Sequence, residues 1–163
     1  GFSIGMDAHD RAAAFTTLES ALAISPSSAL TYILGSVILG WGGEAERAIE
    51  WSERGMRLSP FDSWIWAAFD AQAMSHLLRG RYEEACRAAY KAVQANPAHS
   101  ITYVQLAAAL AKLGRLDEAR VAAARVLELQ PAFRYSRQFA GVNCEPGLAG
   151  TLGDALRDAG LPD

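Results

Sequence analysis

Apolar residues recur along this chain at helical spacing. Leu106, Leu110 and Leu113 fall at i, i+4 and i+7, and Ala85, Ala88, Ala89 and Ala92 trace a stripe of small residues. The pattern predicts antiparallel helix pairs over 27–41 and 44–58, 62–79 and 82–96, and 99–113 and 116–129. Residues 10–25 read as the second helix of a pair whose first helix is cut short. Prolines at Pro26, Pro60, Pro97 and Pro131 punctuate these segments at spacings of 34, 37 and 34. The longer middle spacing predicts an earlier start and greater length for the helix after Phe61, with Trp64 and Trp66 inside it.

A six-residue segment precedes each proline at a fixed distance. It reads Gly80-Arg81-Tyr82-Glu83-Glu84-Ala85 before Pro97 and Gly114-Arg115-Leu116-Asp117-Glu118-Ala119 before Pro131. Weaker copies start at Gly43 and His9, and in all four the last alanine (Ala14, Ala48, Ala85, Ala119) lies 12 residues before the proline. The glycine suits a left-handed residue between two helices, and the acidic pair suits the positive end of the next helix dipole. The alanine permits close approach of two helix axes, and the proline stops the second helix.

A 34-residue helix–turn–helix unit with these landmarks resembles the tetratricopeptide repeat. The resemblance implies an all-α, right-handed superhelical solenoid of antiparallel helix pairs. It divides the chain into a partial repeat at 1–26, full repeats at 27–60, 61–97 and 98–131, and a C-terminal linker and capping helix at 132–163. Ser52, Ala89 and Ala123 depart from the family's large apolar residues, and His76 from its tyrosine. In the family the first helix of each pair lines a concave groove. By register this places Ile33, Val37 and Trp41, then Asp70 and Met74, then Val104 and Ala108 in the groove, with Trp64 and Trp66 as aromatic anchors. Some family members grip a carboxylate with lysines and asparagines. The corresponding positions here offer no cation, so an apolar partner segment or amphipathic helix is the expected occupant.

Composition narrows the rest. Of 163 residues, 51% are hydrophobic and 32 are alanine, which excludes a disordered chain and favours helix. A net charge of -3, from 15 basic and 18 acidic residues, does not suit nucleic acid or an anionic membrane. Arginines outnumber lysines 13 to 2 but alternate with acids, as on a solvated face. The longest apolar run, Ala29 to Trp41, is 13 residues, short of a membrane span, and no leader is visible, so a cytoplasmic location is expected. Gly1 reads as a cut inside a longer protein. Cys86 and Cys144 cannot form a four-ligand metal site, His9 and His99 read as turn and helix-start residues, and His76 as a packed core residue. No nucleophile motif or phosphate loop appears, so no catalytic residue, metal or cofactor is expected.

Leu148, Leu152 and Leu156 form one stripe over 147–159, fit to close the apolar edge after the last repeat, whereas 133–145 reads as either loop or short helix. Three functions follow. The first is an interaction scaffold that binds a protein or peptide partner in the groove. The second is a regulatory region of a larger bacterial signalling protein, because the ending Leu156 to Asp163 and the repeat start Ser27 to Leu30 resemble those that follow nucleotide-cyclase or DNA-binding output domains. The third is a homodimer through the truncated N-terminal edge, where Phe15, Leu18 and Leu22 lack a partner helix.

Overall fold

The computed structural model describes residues 10–163, so His9 and most of the partial repeat's start lie outside the described residues. The regular structure described is entirely helical: α1 (Arg11–Ile24), α2 (Ala29–Trp41), α3 (Ala45–Leu58), α4 (Ile65–Leu78), α5 (Tyr82–Ala95), α6 (Ser100–Lys112), α7 (Leu116–Leu129), α8 (Tyr135–Gly141) and α9 (Pro146–Asp158). No helix among the described residues is long and apolar enough to cross a membrane.

Two kinds of stop set the rhythm. First helices end on a left-handed residue: φ is +81° at Gly43, +69° at Gly80 and +75° at Gly114. In each case the following N–H reaches back five residues: Glu44 to the Leu39 carbonyl, Arg81 to His76 and Arg115 to Leu110. This closure satisfies carbonyls that a helix end would otherwise leave bare. Second helices stop two residues before their proline, at Ile24, Leu58, Ala95 and Leu129. The expected acidic pairs, Glu83–Glu84 and Asp117–Glu118, occupy first turns of α5 and α7. Ala14, Ala48, Ala85 and Ala119 are all fully buried.

The three extra residues before α4 do not lengthen it. It has 14 residues, and the surplus builds a turn in which the Trp64 N–H donates to Asp62 Oδ1 at 2.9 Å. An Asx turn of this kind competes with the helix for the backbone. Trp64 therefore stands at the helix threshold rather than inside it.

The helices α2–α3, α4–α5 and α6–α7 pair closely, and each pair stacks on the next. First helices also meet across repeats, α2 on α4 and α4 on α6, whereas second helices hardly touch one another. That asymmetry curves the stack, with α2, α4 and α6 on the inner side. Glycines permit the tightest crossings: a Cβ at Gly35 would stand 2.4 Å from the Trp51 ring, and one at Gly55 2.7 Å from Ile33. Buried Ser52 donates to the Ile49 carbonyl and accepts from Gln72 Nε2 on α4 at 2.9 Å.

After α7 the chain folds back. The 133–145 stretch contains α8, and α9 starts on Pro146 with Glu145 accepting from the Leu148 N–H at 2.7 Å. Leu148, Leu152 and Leu156 are fully buried, as their spacing requires. Their helix, however, packs chiefly on α6 and α4. It covers part of the inner face, where the sequence pattern suggested the edge beyond α7. Two backbone bonds pin the return: Glu145 N–H to the Trp41 carbonyl at 2.8 Å, and Tyr135 N–H to the Pro162 carbonyl at 3.2 Å.

Candidate functional site

The inner face divides into a covered part and an open part. Val104 and Ala108 of α6 are fully buried in the main core. Ile33 is also fully buried, turned toward Gly55 of the paired helix α3. These three positions, expected in the groove, offer no surface. The other six expected positions come together around one recess of about 200 Å³, formed by α2, α4, the start of α6 and α8. Val37 and Trp41 line it from α2, Trp64, Trp66, Asp70 and Met74 from the α4 region.

The recess has an aromatic wall. Trp64 and Trp66 stack with ring centroids 5.5 Å apart, and Trp66 lies 4.3 Å from the His99 ring. Trp64 is 41% exposed and forms the rim, whereas Trp41 is buried against Phe139 of α8, centroids 6.4 Å apart. Stacked and tilted rings at such distances hold one another rigidly at little entropic cost.

Leu34, His99 and Gln138 line the recess without having been expected there. His99 is the N-cap residue of α6, as placed, but its side chain makes no capping bond. Its ring is committed to Trp66, its Nδ1 is buried without a hydrogen-bond partner, and burial holds its pKa below the ordinary value. Gln138 closes the recess from α8, a segment whose conformation the sequence left open.

Asp70 is the polar centre. It is 4% exposed, its Oδ1 is buried without a hydrogen-bond partner, and no cationic side chain among the described residues lines the recess. Burial alone pushes its carboxyl up to about 8, so at neutral pH most molecules carry it protonated. Removing a carboxylate from water without a partner is costly, and the group avoids that cost by keeping its proton.

Elsewhere, exposed arginines pair with neighbouring acids, among them Arg79 with Glu46 and Arg115 with Glu118. A second hollow of about 440 Å³ lies between α5, α6 and α7, but its two charged residues, Glu118 and Arg125, are already paired with Arg115 and Glu128. Among the described residues no group of three or more His, Cys, Asp or Glu side chains could hold a metal ion.

Stacked antiparallel helix pairs define an α-solenoid. Residues 76–137 match the family described as tetratricopeptide repeat. Similar solved structures include MamA, at TM-score 0.62 and 20% identity over 96% of this chain and 89% of that one. The second TPR domain of human RPAP3, solved in complex with an HSP70 peptide, gives 0.55 and 23% over 78% and 97%. YrrB, described as a TPR protein with an unusual peptide-binding site, gives 0.56 and 19% over 86% and 74%. At these identities the likeness is one of fold. No curated protein sequence matches the chain.

Proposed function

We propose that this chain is a protein-interaction module that holds a segment of a protein partner at the recess between α2, α4, α6 and α8. The observation that carries the reading is the rigid aromatic wall, with Trp64 presented at its rim and a buried floor behind it. Aromatic anchors beside a fully desolvated floor are the usual centre of a binding surface. The HSP70-peptide complex of one fold neighbour and the peptide-binding site of another support the same reading. Its volume lies below the roughly 300–1,000 Å³ of drug-sized pockets, which suits one inserted side chain of a longer segment. Asp70 Oδ1 and His99 Nδ1 each lack a hydrogen-bond partner, and among the described residues no serine, threonine or cysteine lines the recess.

Selection of a random 12-residue peptide library on the full chain tests this. The selected peptides are expected to lose at least tenfold in affinity on Trp64→Ala and Val37→Glu variants. Far-UV circular dichroism checks that each variant still folds, and Trp64→Ala, at the rim, is the safer of the two. Unchanged binding by a folded Trp64→Ala protein would place the interaction elsewhere.

A further inference from the structure

The geometry points to a cation as what the recess recognises: we infer that Asp70, beneath the Trp64–Trp66–His99 wall, receives a lysine or arginine side chain of the partner segment. The inference rests on the recess being the partner site, and deepens it by naming the chemistry. Three observations converge. Asp70 is buried, lines the cavity, and is unpartnered at Oδ1, so the protein itself leaves a carboxyl oxygen unused. The wall supplies two indole rings, and tryptophan is the aromatic side chain that attracts ammonium and guanidinium groups most strongly. Among the described residues nothing cationic lines the space.

The charge environment agrees. His99 is the other titratable residue of the lining, and burial keeps it neutral at pH 7. From α2 the recess meets Leu34, Val37 and Trp41, and from α8 Gln138, all uncharged. Arg134 and Arg137 line a neighbouring hollow that shares Gln138, and both side chains are exposed to water. An incoming basic group would pair with the carboxylate, and Asp70 would release its proton to solvent as it does so. Binding should therefore tighten as pH rises toward 8 and level off above it, where the empty site is already ionised.

An apolar segment, the occupant that the groove's other residues suggest, would leave Asp70 buried and unpaired. A cationic one removes that defect. Specificity of this kind comes from a polar group that only the right ligand satisfies.

The test has two arms. In the first, n-butylammonium chloride and n-butanol are titrated separately into the full chain at pH 7.5, following the tryptophan indole NMR signals. The ammonium is expected to act at concentrations at least tenfold lower than the alcohol, and Asp70→Asn should abolish the difference. Equal action on the wild-type protein, or a preference that survives Asp70→Asn, overturns the inference. In the second arm, each lysine or arginine of the selected library peptides is replaced by norleucine. Partner recognition predicts one position costing at least tenfold on the wild type and less than twofold on Asp70→Asn. Peptides that need Trp64 but no basic residue would leave the interaction module standing and overturn the cation. A butylammonium effect without any basic-dependent peptide would reassign the recess to a free amine and overturn the partner side chain.

Discussion

At the scale of single residues, Asp70 ties binding chemistry to stability. Its folded-state pKa of about 8 lies above the ordinary value of 3.8, so the folded chain binds a proton that the unfolded chain has lost. Stability from this group is complete below 3.8 and falls as pH rises to about 8, by about 1.4 kcal/mol per pH unit. His76 and His99 act oppositely: burial lowers both below 6.5, so stability is lost as pH falls under that value. Among the described residues Asp70 is the group that lowers stability as pH rises from 6.5 to 8. Across that interval the denaturation midpoint of the wild type should fall relative to that of Asp70→Asn. A second residue gives an independent check. Gln105 is fully buried on α6, with neither end of its amide hydrogen-bonded. Gln105→Met, which keeps the length and removes both unpaired groups, should stabilise by about 1–3 kcal/mol in urea titrations. The acid of the site was legible, since the repeat register put Asp70 on an inner face. Its isolation was not legible, because solvation depends on side chains from four helices. His99 was hidden for a similar reason: a histidine at a helix start reads as a cap until its neighbour Trp66 is seen.

At the scale of elements, turns and crossings use glycine for two separable reasons. Gly114 sits at φ +75° with open space for 4 Å around the point a Cβ would occupy, so Gly114→Ala would suffer backbone strain alone. Gly35 lies inside α2 with ordinary helical geometry, but its missing Cβ is where the Trp51 ring rests, at 2.4 Å. Gly114→Ala should cost about 1–2 kcal/mol, and Gly114→Asn less, because asparagine tolerates the left-handed region. Gly35→Ala should cost about 1–3 kcal/mol through overpacking, and Trp51→Leu should recover part of that loss in the double variant. Additive effects of Gly35→Ala and Trp51→Leu would mean that the ring is not what Gly35 accommodates. Helix positions and stops were legible because each stop has a local cause, a left-handed glycine or a proline. The start of α4 was not, since Asp62 diverts the three surplus residues into a turn. Counting residues between prolines cannot distinguish a longer helix from a longer turn.

At the scale of the whole molecule, the C-terminal segment decides how much inner face remains open. Its leucine stripe was legible, but not where it docks. Two apolar surfaces were available to it, the edge of α7 and the inner face of α4 and α6, and the same three leucines fit either. The return is fixed by contacts far apart in sequence: Glu145 to Trp41, Tyr135 to Pro162, and Phe139 against Trp41. Residues 132–163 thus cover α6 and build one wall of the recess through Gln138. Deleting them should have two consequences. The faces of α6 and α4 that α9 covers would meet water, and an exposed apolar face tends to find a partner. The shortened chain should then associate in light-scattering measurements at concentrations where the full chain does not, with a lower denaturation midpoint. Leu152→Asp separates this docking from the rest of the segment, since it places a charge in the α9 interface and leaves Gln138 and the recess lining unaltered. It should reproduce the loss of stability, as expected for a fully buried leucine replaced by an unpaired charge. A Leu152→Asp chain as stable and as monomeric as the wild type would show that α9 does not hold the inner face in solution, and that the groove lies open along its whole length.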